Sequence, residues 1–502
     1  MKNKQITYFA NSFIWGVVAK IIDALIKFAT IPLLLNYFGD ENYGLLTLAI
    51  ATNAYIQLLD LGMNTGAVKF FSQWIVKKEY DLIDRVARTN YTFYLIIGLI
   101  NASILICLAT IGADIFKISL DQFHIFQKLL LIMALFSLFN WVTFVFNQLL
   151  IADEKIAYTQ KWLSIKAIAN LIIVFLTLKL KLSLIQYFTL FCFINIILFL
   201  PYYITCKKNQ LLKSLIPGFH WKEFSAVFRY SMAIFAMSLF QFTATQSRPL
   251  VLGMFSKEGL SILAEYRIIE VFPIFIISIG GILISILLPK TAKAIEEKNK
   301  KEVERIAYQG TKYTSIIVIL LCLPIILNST EIIRLYVGDS YTNLSVWLSI
   351  WVATITLFLH GSPSASLVLA TGKTRMLVYS SAIACTVSII LNALLCSYYG
   401  VGSAVIGYLV YIVIQMAFYY FYFNHKILEL NSLKVFKSFV IPTSIGFAAL
   451  GCVWMLNIQL PNLYLQVASK SLIWFAVFAA ILHFTKTLRV DQLVTIISRT
   501  KE

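Results

Sequence analysis

Apolar runs of about 18–28 residues recur along the whole 502-residue chain, and no other feature limits its fold so strongly. A run of that length crosses a ~30 Å hydrocarbon core as a helix, whereas barrel strands need only ~10 residues of alternating character. Within lipid, each backbone N–H and C=O must be bonded inside its own element or barrel, so the runs predict an all-α integral membrane protein. Composition agrees: 59% of residues are apolar, 13% are charged, and the mean hydropathy of +0.80 lies outside the range of soluble domains.

The runs number fourteen and fall into groups of six, six and two. The first six extend from Ser12–Tyr37 to Ser183–Thr205, the next six from Phe228–Phe255 to Gly402–Phe423, and Phe439–Ile458 and Tyr464–Phe484 close the chain. A shift of 217 residues lays Leu33–Phe38 over Leu250–Phe255, and Asp81–Ala87 matches Lys301–Ala307 after a three-residue slip. An even number of spans per unit gives both units the same orientation, which predicts a parallel repeat about an axis along the membrane normal. The expected domains are an N-terminal lobe at 1–205, a cytoplasmic linker at 206–224, a C-terminal lobe at 225–427, and two additional helices with a cytoplasmic tail at 428–502. Two such lobes enclose a cleft of the kind in which transporters place substrate. The connections between runs leave no room for a soluble catalytic domain.

A net charge of +18 raises the question of nucleic acid, and the positions of the basic residues answer it. Most of the 42 Lys and Arg sit in the tails and in alternate short loops, the positive-inside pattern, which predicts cytoplasmic termini and contact with anionic lipid headgroups. The seven cysteines show no CxxC or Cys/His spacing, so neither a metal nor a disulfide framework is implied, and no cofactor motif is present. Gly372-Lys-Thr-Arg375 contains GKT but lacks the upstream glycine and strand of a phosphate loop.

Charges inside the runs are costly and point to function by default. Lys20 and Lys27 are seven residues apart on one helix face with Asp23 between them, and Asp60, Arg248, Glu265, Arg267 and Glu270 lie in later runs. Residue 27 maps to 244 in the repeat, one turn from Arg248, so Lys20, Lys27, Arg248 and Arg267 are the expected substrate-binding cations for a phosphate-bearing ligand. Snorkelling to headgroups is the alternative for Arg248 and Arg267. Asp23, Asp60, Glu265 and Glu270 are candidates for coupling or charge pairing. Simple helical pairs, Asp23 with Lys20 or Lys27 and Glu270 with Arg267, are the alternative there. Gln57, Gln241 and Tyr266 are candidate sugar contacts, with Asn53 and Gln246 nearby, although helix-to-helix hydrogen bonds use the same groups. His360 could titrate near neutral pH, or simply pack.

Four words add a resemblance: Tyr37-Phe-Gly-Asp-Glu-Asn-Tyr-Gly-Leu45, Leu59-Asp-Leu-Gly-Met-Asn-Thr-Gly66, Ala152-Asp-Glu-Lys155 and Ala370-Thr-Gly-Lys-Thr-Arg375. In order, spacing and sidedness the chain resembles the Wzx-type polysaccharide and O-antigen flippases, the polysaccharide branch of the multidrug/oligosaccharidyl-lipid/polysaccharide (MOP) exporter superfamily. The resemblance implies a MATE-like fold of fourteen transmembrane helices with a central cationic cavity in the bacterial inner membrane. It implies a transporter rather than an enzyme, moving undecaprenyl-diphosphate-linked oligosaccharide from the cytoplasmic to the periplasmic leaflet by alternating access. H+ or Na+ is the implied coupling ion, membrane lipids and the polysaccharide polymerase are implied partners, and the pathway is O-antigen, capsule or exopolysaccharide.

Three other functions share some of these features. A multidrug-type cation antiporter on the same fold would need an acidic cavity. A membrane glycosyltransferase or polymerase would place acids in a long outer loop, and Asn328–Ser345 holds only Glu331 and Asp339. A flippase for cell-wall lipid precursors would differ only in its cargo.

Overall fold

The computed structural model describes residues 2–116, 118–371, 375–485 and 487, and throughout these the ordered elements are helices. Gly372, Lys373 and Thr374, within the GKT turn, and the tail beyond 487 lie outside the described residues. Among the described residues ten helices are long and apolar enough to cross a membrane, and the chain is a multi-pass, all-α membrane protein.

The first helix, α1 (Lys2–Ile56), is broken at Gly39, where φ is 75° and ψ is 166°, a conformation open to glycine because it has no Cβ. The chain leaves α1 through a 3₁₀ turn at Gln57–Asp60 and left-handed Leu61 and Gly62, then enters α2 (Met63–Val76). Next come α3 (Tyr80–Phe116), α4 (Leu120–Ala152), α5 (Ile156–Leu180), α6 (Leu184–Asn195) and α7 (Phe199–Lys208). Ser183 starts α6 with a reciprocal cap: its Oγ accepts from the Gln186 N–H at 3.3 Å, and Gln186 Oε1 accepts from the Ser183 N–H at 2.9 Å. After the connection at 209–220 come α8 (Trp221–Phe255) and α9 (Ser261–Glu296). The remaining helices are α10 (Lys300–Arg305), α11 (Thr311–Leu327), α12 (Ser329–Val337), α13 (Ser345–Leu359), α14 (Ser362–Ala370), α15 (Arg375–Tyr399), α16 (Gly402–Phe418), α17 (Ser432–Met455) and α18 (Leu463–Phe484).

The chain forms two compact units, one comprising Met1–Val271 with Leu377–Gly407, the other Phe272–Met376 with Tyr408–Glu502. In the first unit, Phe71, Tyr94, Trp141, Phe146, Tyr202 and Phe224 are among the buried side chains that join α2, α3, α4, α7 and α8. Gly66 allows α2 to close on α8, because a Cβ there would collide with the Ser231 side chain. The connection before α8 is tied to α3. Lys213 donates its backbone N–H to Asp84 Oδ1 at 2.7 Å and its ammonium to Asp81 Oδ1 at 2.6 Å, while Arg88 Nε donates to the Ile216 carbonyl at 2.8 Å. The hydrogen bond from Lys213 holds Asp81 below the usual carboxylate range. In the second unit, Leu323, Ala449, Trp474 and Phe478 bind α11, α17 and α18 together, and the Trp474 indole donates to the Gly446 carbonyl at 3.2 Å.

Candidate functional site

The first unit holds a cavity of about 440 Å³ between the second arm of α1 and helices α3 to α7. Among the described residues its wall carries six carboxamides, Asn53, Gln57, Asn101, Asn140, Asn147 and Asn195, and one charged side chain, Lys166. Phe136, Trp141, Phe144, Phe191 and Tyr202 supply aromatic surface. The α4 contribution follows from helical spacing: Met133, Phe136, Asn140, Phe144 and Asn147 recur every three or four residues and form one stripe. Three of these amides are tied into the fold, Asn101 Nδ2 donating to Asn53 Oδ1 at 3.3 Å and Asn195 Nδ2 to the Phe191 carbonyl at 2.9 Å.

Behind the wall formed by Trp141 and Phe144, both of which pack on the Tyr94 ring, runs a buried polar chain. Asn90 Nδ2 donates to Gln148 Oε1 at 2.7 Å, Gln148 Nε2 donates to the Tyr94 hydroxyl at 2.8 Å, and that hydroxyl donates to Asp60 Oδ1 at 2.5 Å. The other Asp60 oxygen accepts from the Asn64 N–H at 3.2 Å. Asp60 is thus fixed at the break between α1 and α2.

The other residues singled out in the sequence fall into two sets. On α1, Lys27 Nζ lies 2.8 Å from Asp23 Oδ2, the i, i+4 pair, and Lys20 is exposed on the same helix. Helix α5 packs against α1, and the charge of Lys166 interacts with both Asp23 and Lys27. The second set gathers on α8 and α9. Arg248, 6% exposed, donates Nε to the Ala244 carbonyl at 3.0 Å, and its charge reaches the buried Tyr266. Glu270 accepts from Tyr266 at 2.9 Å and pairs with Arg267 at 2.5 Å. Both local ion pairs expected from helical spacing are therefore formed, and they leave Arg248 with Arg267 in one polar cluster beside Tyr43. Glu265 senses the charges of Glu258 and Asp40, Gln241 is exposed on α8, and Gln57 stands on the cavity wall. His360 packs 3.9 Å from the Phe439 ring and hydrogen-bonds the Tyr420 hydroxyl at 2.8 Å.

Sequence reading passed over Lys166, Asn101, Asn140, Asn147 and Asn195. The spacing of seven between Asn140 and Asn147 was the available signal, since two carboxamides two turns apart share a helix face.

Carboxamides and one ammonium make this a wall for hydroxyls and a modest negative charge. Each amide offers two donors and an acceptor, the aromatic faces cover apolar ring surface, and no carboxylate is among the lining residues described.

Several known proteins are similar. Among solved structures, the chain is similar to the lipid II flippase MurJ in an inward closed conformation, at 16% identity over 95% of this chain and 100% of that one, with a TM-score of 0.73. A multidrug resistance MATE family transporter of the MOP superfamily, inward-facing, is 13% identical over 87% of this chain and 99% of its own, with a TM-score of 0.63. A MOP superfamily transporter from Pyrococcus furiosus, described as having a binding pocket of reverse polarity, is 13% identical over 83% of this chain and 96% of its own, with a TM-score of 0.57. At these identities the likeness is one of fold. No curated protein sequence matches the chain. The family model for polysaccharide biosynthesis proteins matches residues 9–289, more than half of the length, and the chain belongs to that family.

Proposed function

We propose that the protein is a flippase that moves polyprenyl-diphosphate-linked oligosaccharide from the cytoplasmic to the periplasmic leaflet of the bacterial inner membrane by alternating access. The observation that carries this reading is the cavity in the first unit, whose described lining has six carboxamides, aromatic walls and one charged side chain, a lysine. Membership of the polysaccharide biosynthesis family supports a glycan cargo, and the likeness in fold to a lipid II flippase supports a lipid-linked one. The two arms of α1 together with α8 and α9 supply the four further crossings of a fourteen-span protein with cytoplasmic termini. Lys20, Lys27, Arg248 and Arg267 bind the diphosphate, and Gln57 meets the glycan. An inside-negative potential assists an anionic headgroup outward by ~2.3 kcal/mol per charge per 100 mV, so the protein mainly shields sugar and charge while the polyprenyl tail stays in lipid. The absence of carboxylates among the described lining residues disfavours an organic cation as cargo.

The test uses proteoliposomes holding a fluorescent polyprenyl-diphosphate oligosaccharide under an imposed potential and ion gradient. The expected result is protein-dependent transfer, read by a membrane-impermeant glycosidase acting on the newly exposed glycan. Retention of the lipid in its original leaflet, with uptake of an organic cation instead, overturns the proposal.

A further inference from the structure

We infer that the carboxamide cavity of the first unit is a subsite for one sugar ring bearing a single anionic group, with Lys166 as the residue that selects the charge. The inference rests on the flippase reading for the origin of that ring, but not for whether the ring binds. At about 440 Å³ the cavity is within the ~300–1,000 Å³ of small-molecule sites.

The polar groups on its wall are only partly used by the fold. Asn101 is 2% exposed, and its Oδ1 has no hydrogen-bond partner although its Nδ2 is bonded to Asn53. A buried acceptor in that state is satisfied by an incoming hydroxyl. Among the described residues, Asn140 and Asn147 make no side-chain hydrogen bond, so both present donors and acceptors along one helix stripe. These are the groups that hold hydroxyls, and Trp141 and Phe144 provide flat apolar surface beside them.

The charge is specified more narrowly. Lys166 is the cation on the wall, and among the described residues it is not held in a salt bridge. Its charged neighbours Asp23 and Lys27 are paired with each other at 2.8 Å, so the charge that the described lining presents to the cavity is that of Lys166. A carboxylate on a sugar matches that charge, and a phosphate monoester, with roughly −1.5 to −2 charges near neutral pH, moderately exceeds it. A diphosphate carries more negative charge than one ammonium offsets, and a neutral sugar leaves the ammonium without a counter-charge in a confined space.

The experiment measures binding of glucuronic acid, glucose, glucose 6-phosphate and inorganic pyrophosphate to the purified full-length protein by ligand-observed saturation-transfer NMR. Glucuronic acid or glucose 6-phosphate should bind about tenfold more tightly than glucose, and whichever is tighter identifies the anionic group. Lys166→Gln should bring that ligand to the level of glucose, and Lys166→Arg should retain the preference. Should Lys166→Gln fail to fold, the wild-type protein answers the question alone: added salt weakens binding of the acidic sugar and leaves glucose unchanged. Equal binding of acidic and neutral sugars, a preference that survives Lys166→Gln or salt, displacement of the sugar by pyrophosphate at lower concentration, or absence of sugar binding overturns the inference. Sugar selectivity without lipid transfer in proteoliposomes would sink the flippase reading alone, and lipid transfer without sugar selectivity would sink this one alone.

Discussion

The Tyr94 hydroxyl donates to Asp60 Oδ1 at 2.5 Å while accepting from Gln148 Nε2 at 2.8 Å, so one phenol joins the α1–α2 break to helices α3 and α4. Tyr94, Gln148 and Asn90 are all buried. Tyr94→Phe keeps the ring in its aromatic cluster but strips a donor from Asp60 and an acceptor from Gln148, a loss of ~1–3 kcal/mol for groups out of contact with water. Asp60→Asn should cost less, because its amide oxygen still accepts from the Tyr94 hydroxyl and only the bond from the Asn64 N–H, made to the other carboxylate oxygen, is lost. Thermal unfolding in detergent orders the three proteins as wild type, Asp60→Asn, Tyr94→Phe. A Tyr94→Phe protein as stable as wild type would show that the chain of hydrogen bonds is not structural.

The Asp23–Lys27 pair separates stability from function. With 51% and 58% of their side chains exposed, the partners gain ~0–1 kcal/mol from pairing. Lys27→Ala should therefore leave the melting temperature almost unchanged and lower glycolipid export, whereas Arg248→Ala, at a buried side chain, should lower export when compared at matched folded protein. Export intact in both variants would remove these cations from the substrate path.

Asn140 and Asn147 permit a sharper test, since among the described residues neither amide makes a side-chain hydrogen bond. Asn140→Leu and Asn147→Leu add apolar surface to an already apolar helix and should not destabilise it. Each removes hydrogen bonds of ~0.5–1.5 kcal/mol to the cargo, or roughly 2- to 10-fold in transport per residue. Transport assays at matched protein levels read this directly, and unchanged rates would mean that the cargo bypasses the cavity.

The fold was legible because lipid forces each crossing to satisfy its own backbone, so every run declares itself locally. The same locality exposed Asp23–Lys27 and Arg267–Glu270, whose partners lie one turn away. The cavity was not legible in this way. Lys166 stands three residues inside its run, where a lysine reads as an edge residue whose stem snorkels to water, and only the packing of α5 on α1 makes it a wall residue. Asn101 and Asn195 come from α3 and α6, and nothing in their own segments says that those helices converge with α4. Tyr266, a candidate for its polar group on a cleft-forming helix, donates its hydroxyl to Glu270 within the same helix, a partner one turn away that spacing alone makes available.

Gly66 and Ser231 should behave as a coupled pair. A Cβ at Gly66 meets the Ser231 side chain, itself buried and bonded to the Val227 carbonyl at 2.8 Å. Gly66→Val forces α2 away from α8 at a cost of ~1–3 kcal/mol, and Ser231→Gly should restore part of the loss by vacating the space. Independent, additive effects in a double-mutant cycle would contradict the close approach of the two helices.

Glu331 on α12 accepts from Lys470 at 2.7 Å and from Gln466 Nε2 at 2.9 Å, which pins α12 to α18 in the second unit. Burial acts to raise the pKa of Glu331, but the hydrogen bond and charge of Lys470, with help from Gln466, outweigh it and leave the carboxyl below its ordinary value of 4.5. A carboxyl depressed on folding stabilises the native state above its unfolded pKa, and that contribution disappears as pH falls through the lower folded value. Wild type should accordingly melt higher than Glu331→Gln at neutral pH, and the gap should close as pH falls through the depressed folded value of the carboxyl. Melting curves of both proteins across that interval test the linkage, and a gap independent of pH would mean that the ionised Glu331–Lys470 pair contributes nothing that its amide replacement lacks.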